Sequence, residues 1–191
     1  MGERLFDPVK SDKLEDPQRV HWLPSSAVLG RMGVERGWTI ADVGAGTGYF
    51  ARPLAEAVGP EGRVLAIDVQ REMLARLLVK LAETEAPSNI LPLPGDADAL
   101  PIADDACDAL LLANLWHELE NGPKVAREAR RVVRPGGRMA VLDWEPVEPP
   151  PGPPLDHRVS ADAARDVLAA AGWVPSAPSR VGPYSWLLLA D

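Results

Sequence analysis

Three aspartates stand at or just beyond the ends of successive apolar runs: Asp42 near the end of Trp38–Val43, Asp68 closing Arg63–Asp68, and Asp96 following Asn89–Leu93. Between the first two lies Gly44-Ala45-Gly46-Thr47-Gly48. Glycines there let the backbone turn tightly and approach a ligand at the positive end of the helix that follows. A dinucleotide pyrophosphate asks for G-x-G-x-x-G, but Tyr49 holds the third glycine position. Asp42 would also set a like charge beside a phosphate in a poorly solvated crevice. The pattern therefore favours a cationic nucleoside over a phosphate-bearing one, and S-adenosylmethionine, with an ammonium, a sulfonium and no phosphate, meets that description.

Asp68 follows Asp42 by 26 residues, where dinucleotide folds place an acid on the ribose hydroxyls at a gap of about 20. It also suits the N-cap of a helix over Gln70–Leu81, with Val69 beside it. Asp96, in Gly95-Asp96-Ala97, is positioned to accept from an adenine amino group while Ala97 offers a backbone donor; a solvated turn aspartate is the plainer alternative. Further along, Ala106–Ala113 runs into Asn114-Leu115-Trp116-His117-Glu118. His117 titrates near neutral pH and is the first candidate base, with Glu118 next to it. Asp143, Trp144 and Glu145 end the following strand, His157 and Arg158 lie on the loop beyond, and Tyr184 sits in the last turn; all are expected at the same rim as substrate-pocket candidates. The histidines at 21, 117 and 157 lack metal-ligand spacing, and no metal site is expected.

Apolar runs alternating with helical patterns from residue 38 imply an α/β fold, a parallel sheet wound with crossover helices. The expected strands are Trp38–Val43, Arg63–Asp68, Asn89–Leu93, Ala106–Ala113, Arg138–Trp144, Trp173–Val181 and Ser185–Ala190. Helices are expected over Tyr49–Val58, from Gln70 to Leu81, from Gly122 to Arg134 behind Asn121, and from Ser160 to Gly172. The last two strands form a hairpin through Gly182-Pro183, which makes the seventh strand antiparallel. Pro146–Pro154, with six prolines in nine residues, reads as a stiff loop because too little chain follows for a second core.

The 191 residues suit one domain, and a net charge of −8 argues against nucleic acid and anionic membrane as partners. One cysteine, Cys107, permits no internal disulfide, and no run reaches the length of a membrane helix. With a charged N-terminal stretch that lacks a secretory apolar core, a cytoplasmic location is expected. Oligomeric state is not encoded in any of these features.

Ala41-Asp42-Val43-Gly44-Ala45-Gly46-Thr47-Gly48-Tyr49-Phe50, Asp68, Gly95-Asp96-Ala97 with Leu100-Pro101, and Arg131-Val132-Val133-Arg134-Pro135-Gly136-Gly137-Arg138 together resemble a class I S-adenosylmethionine-dependent methyltransferase. The nearest branch is the one that groups ubiquinone/menaquinone-biosynthesis and related small-molecule enzymes. The resemblance implies a three-layer Rossmann-like sheet in the order 3-2-1-4-5-7-6, one domain over 1–191, with 1–31 as a lid and 32–191 as the core. It implies the methionine end of the cofactor at Asp42 and the backbone of Gly44 with Asn114 beside it, the ribose at Asp68 and the adenine at Asp96 and Ala97, with Ala45, Gly46 and Val69 as further cofactor-binding positions. Arg19, His21 or Trp22 would close over it. The implied partner is a small-molecule methyl acceptor. A nicotinamide-dependent Rossmann oxidoreductase and a non-catalytic cofactor-binding module are the alternatives.

Overall fold

The computed structural model describes residues 6–83, 87–147 and 152–191. Seven strands, β1 (Thr39–Val43), β2 (Arg63–Asp68), β3 (Ile90–Pro94), β4 (Cys107–Ala113), β5 (Val133–Trp144), β6 (Ser179–Val181) and β7 (Ser185–Ala190), form one sheet in the order 3-2-1-4-5-7-6. The pairings β2–β3, β1–β2, β1–β4 and β4–β5 are parallel, while β7 runs antiparallel to both β5 and β6, as the hairpin implied. The carboxyl ends of β1 to β5 therefore share one edge with the amino end of β7, where Trp144 faces Ser185.

Side chains alternate between two apolar layers because successive strand residues point to opposite faces. Ile40, Val64, Ala66, Leu111, Ala140, Leu142 and Leu187 pack toward α2 (Ser25–Met32), α3 (Ala51–Val58) and α4 (Arg71–Glu83). Ala41, Val43, Leu110, Leu112, Met139, Val141 and Leu188 pack toward α5 (Gly122–Val132) and α6 (Ala161–Ala170). Upstream of α2 lies the short α1 (Arg19–Trp22). The caps are local and legible: Asn121 accepts from Lys124 N at 3.0 Å and Ser160 from Ala163 N at 3.3 Å. At the sheet edge, Asn89 O and Gly95 N bond to β2, so alternation turns the nitrogens of Pro92 and Pro94 outward. Prolines there remove two donors that would otherwise invite a further strand.

Several boundaries depart from expectation. The helix after the glycine turn begins at Ala51 rather than Tyr49, since residues 46–50 are spent in turns. The expected helix to Arg134 ends at Val132, and Pro135-Gly136-Gly137 lies inside β5, where the register shifts between Cys107 and Ala109. A Cβ on Gly137 would fall 2.6 Å from the Asp108 carbonyl, so the bulge requires glycine. Trp173–Val181 shortens to Ser179–Val181, because Pro175 and Pro178 cannot donate to a ladder and leave only a bridge between Pro175 and Ala190. Of the proline-rich loop, residues 148–151 lie outside the described residues, as do residues 1–5 of the expected lid.

Candidate active site

The glycine turn uses its own amides. Gly44 N and Ala45 N both donate to Ile67 O, at 2.8 and 2.9 Å; Gly46 N donates to Asp68 Oδ2 at 2.9 Å, and Gly48 N to Ala45 O at 2.9 Å. A phosphate cradle needs such amides free to point at the anion, and here they are not. What the turn supplies is close approach: Gly44 sits at φ +76°, and a Cβ on it would fall 2.9 Å from Leu115 Cδ2. Asp68 ties the turn to the start of α4, its other oxygen accepting from Gln70 N at 2.9 Å. Both carboxylate oxygens retain a second lone pair for further donors.

Beside this turn two acceptors are buried without a donor. Asp42 is 2% exposed and its Oδ2 has no partner. Burial, with the charge of Asp68, raises its pKa to about 7 against the opposing pull of Arg19. Asn114, in the left-handed region at φ +54°, likewise has an Oδ1 without a partner. β1 pairs with β4 so that Val43 faces Leu112, which places both residues at adjoining strand tips. Two orphaned buried acceptors at one spot are costly unless a donor arrives, and a primary ammonium with three donors fits them.

Across the tips lies a second cluster. His117, on the 3-10 turn Trp116–Glu118, is bound twice by Asp143 at the end of β5: its backbone N donates to Oδ2 at 2.9 Å and its Nδ1 lies 2.8 Å from Oδ1. Asp143 is fully buried, and its two bonds fix the orientation of the ring. Nε2 faces Glu118 Oε1 at 3.7 Å. Burial pulls the His117 pKa down, but the hydrogen bond and charge of Asp143, with the charge of Glu118, carry it above its ordinary value. Burial raises Glu118 to about 7 against the pull of His117 and the Phe6 amide. Proton acceptors with perturbed affinity in a crevice are suited to acid–base work.

The other expected residues are spread more widely. Tyr184 is half-buried and its carbonyl accepts from Glu145 N at 2.7 Å, so it does stand at this rim. His157 is half-buried on the 3-10 turn Leu155–His157; its neighbour Arg158 reaches inward, donating to Glu145 O at 2.8 Å and lying 5.5 Å from the Trp144 ring centroid. Asp96 caps its own turn, accepting from Asp98 N at 3.3 Å, and Ala97 packs against the α5–α6 layer. Val69 is 46% exposed beyond Asp68. Of the N-terminal candidates, Arg19 is buried, His21 is exposed, and Trp22 packs at a tilt of 33° against Trp144 with centroids 5.5 Å apart.

The segment before α1 crosses the tips. Phe6 N donates to Glu118 Oε2 at 3.4 Å while Gln70 Nε2 donates to Phe6 O at 2.9 Å, and Glu15 accepts from Thr47 Oγ1 and pairs with Lys80. Among the described residues no group of His, Cys, Asp and Glu has metal-binding geometry, and no helix is long and apolar enough to cross a membrane. Cys107 is buried, its thiol pushed up to about 11 by burial and by Asp108, and is an inert packing residue.

Residues 41–141 match the family model for a methyltransferase domain. Over 97% of its length, and 98% of the other chain, the protein superposes on a SAM dependent methyltransferase from Aquifex aeolicus with a TM-score of 0.92 and 33% identity. The chain belongs to the S-adenosylmethionine-dependent methyltransferases. A curated relative, the ubiquinone/menaquinone biosynthesis C-methyltransferase UbiE of Hahella chejuensis, is 30% identical over 151 residues, covering 76% of this chain but 61% of the relative. The chain thus spans about three fifths of that relative's length. The fold is shared more widely, with the [4+2]-cyclase SpnF at TM-score 0.74 and 20% identity over 87% of this chain and 78% of that one.

The methyltransferase family uses S-adenosylmethionine, and the donor-starved pair Asp42 and Asn114 suits its cationic methionine end. Sequence reasoning placed Asp143 at the rim but did not pair it with His117; a carboxylate at the tip of the strand next to the histidine's loop was the available signal. It also did not foresee that Gly44, Ala45 and Gly46 spend their amides internally, since nothing local announces the partners Ile67 and Asp68.

Proposed function

We propose that the chain binds S-adenosylmethionine across the tips of β1, β2 and β4 and transfers its methyl group to a small molecule seated near His117. The observation that carries this reading is the pair of buried acceptors, Asp42 Oδ2 and Asn114 Oδ1, left without donors beside a glycine turn whose amides are consumed. The same consumption of amides speaks against the nicotinamide reading. When bound, the cofactor supplies a methyl group activated for in-line displacement by positive sulfur.

The chain's own task is alignment. Asp42 and Asn114 receive the ammonium, with Gly44, Ala45 and Gly46 allowing close approach. Asp68 accepts from the ribose hydroxyls beside Val69, and Asp96 and Ala97 meet the adenine. His117, oriented by Asp143, holds or takes the proton of the acceptor, with Glu118 as its neighbour, and Tyr184 and His157 contribute to the rim. Residues up to 31 act as the lid over a core of residues 32–191; the bonds of Phe6 and Glu15 across the tips support that role. The UbiE likeness favours an acceptor of the quinone-precursor kind. A net charge of −8 favours a small molecule over nucleic acid, and a cytoplasmic setting accords with the single buried cysteine.

Calorimetric titration with S-adenosylhomocysteine and with NAD, followed by methyl transfer from labelled S-adenosylmethionine to a panel of hydroxylated aromatic acceptors, tests the reading. Binding of S-adenosylhomocysteine and not NAD is expected, and the reverse would overturn it. Binding without transfer to any acceptor would favour a cofactor-binding module.

A further inference from the structure

We propose that the indole of Trp22 is a built-in occupant of the acceptor subsite, resting where a flat aromatic acceptor that carries an oxygen would lie; this rests on the function proposed above. The platform is Trp144, the residue after Asp143 and so next to the carboxylate that holds His117. Trp144 is fixed from several sides. Its backbone N donates to Asp143 Oδ1 at 2.7 Å, a Cβ on Gly152 would fall 2.8 Å from its Cδ2 and Cε2, and Arg158 Cζ lies 5.5 Å from its ring centroid. The Trp22 ring meets it with centroids 5.5 Å apart and planes at 33°, neither the offset-parallel nor the edge-on arrangement that aromatic pairs prefer.

Two donors on this side of the sheet are left unused. Ser185 stands directly opposite Trp144 in the β5–β7 ladder, so both side chains project from the same face. Leu142 and Leu187, two residues along each strand, belong to the apolar layer into which Trp22 packs. Ser185 is 0% exposed and its Oγ has no partner. Trp144 is 6% exposed, and among the described residues its Nε1 donates to no protein atom. An indole accepts no hydrogen bond, so Trp22 covers these donors without satisfying them. An aromatic ring bearing a phenolic or carbonyl oxygen would keep the ring contact and also supply the missing acceptor.

The backbone of Trp22 is clamped. Gly182 in the β6–β7 turn packs so closely that a Cβ there would overlap Trp22 O, while Leu23 is buried and its carbonyl accepts from the Tyr49 hydroxyl. The half-buried indole is therefore the part that can swing aside, with α1 left in place. An acceptor must compete with it, and the affinity of the subsite is lowered by the share of chains in which Trp22 occupies it.

The test titrates the whole chain, saturated with S-adenosylhomocysteine, with 2-naphthol, with naphthalene and with the saturated analogue decahydro-2-naphthol, and follows the indole N–H signals by NMR. Tightest binding of 2-naphthol is expected, with the Trp22 and Trp144 signals moving together. Trp22→Ala should tighten 2-naphthol by about 2- to 10-fold, the margin of one aromatic ring contact. Ser185→Ala should cut the preference for 2-naphthol over naphthalene by about 2- to 10-fold, the margin of one neutral hydrogen bond, while naphthalene binds as before. Weaker 2-naphthol binding by Trp22→Ala would make Trp22 a wall of the site and overturn the proposal. So would a Ser185→Ala chain with its preference intact, or a wild type that binds 2-naphthol no better than its saturated analogue. Binding of S-adenosylhomocysteine with none of the three probes would overturn this assignment alone, whereas failure to bind S-adenosylhomocysteine would overturn the proposed function beneath it.

Discussion

Asp42 is held at a cost: burial and the neighbouring Asp68 disfavour its charged form, and no donor offsets that. Asp42→Ala should weaken S-adenosylhomocysteine binding by about 1.5–3 kcal/mol, the range for hydrogen bonds to a charged group, as read by titration calorimetry. Unchanged affinity would remove it from the site. His117 is a separate case. The Asp143 bond holds its proton to higher pH than an ordinary imidazole, so Asp143→Asn should lower the His117 titration midpoint in a pH series of NMR spectra. Turnover should fall while cofactor affinity is spared. Asp42 at the tip of β1 and His117 on the turn beyond β4 were both visible in the sequence; the missing donor of the one and the Asp143 partner of the other were not.

At the level of elements, the glycine turn and the N-terminal segment depend on one another. Gly48 sits at φ +89°, and a Cβ there would fall 2.4 Å from Leu77 Cδ1 of α4. Gly48→Ala combines strained backbone with displaced packing and should cost about 1–3 kcal/mol, measured as a shift in the denaturation midpoint. The N-terminal segment is held by polar contacts of Glu15 with Thr47 and Lys80. Glu15 is 44% exposed, so its loss should barely move global stability. Glu15→Gln should instead speed amide hydrogen exchange across residues 7–18, and cofactor binding should slow it again. Exchange indifferent to both would argue against these contacts as the latch of the segment.

For the whole molecule, the buried titratable groups of the crevice act in the same direction. Asp42 moves from 3.8 to about 7 and Glu118 from 4.5 to about 7, so between those values the folded chain keeps protons that the unfolded chain has released. His117, raised above 6.5, keeps its proton longer in the same sense. Stability therefore falls as pH rises through this window, by up to about 1.4 kcal/mol per pH unit for each group. The ligand-free protein should melt higher at pH 5.5 than at pH 8. An ammonium beside Asp42 favours the ionised carboxylate, so stabilisation by S-adenosylhomocysteine should be larger at pH 8 than at pH 5.5. Asp42→Asn should flatten both trends in paired thermal melts.

The direction of β7 and the acidic strand tips were already contained in the amino-acid order, while the sheet order came with the family resemblance. Alternating apolar runs, glycine turns and a hairpin-length Gly182-Pro183 are local signals that each element carries within itself. Where local signals conflicted, as with Pro175 and Pro178 inside an apolar run, the missing donors won and the strand shortened. The tertiary structure alone decided who meets whom: His117 with Asp143 across 26 residues, Gly44 and Ala45 with Ile67, Arg19 with the face of Tyr49. It alone also left Asp42 and Asn114 without donors. Periodicity is written residue by residue, whereas the satisfaction of a buried polar atom depends on which distant segments pack against it.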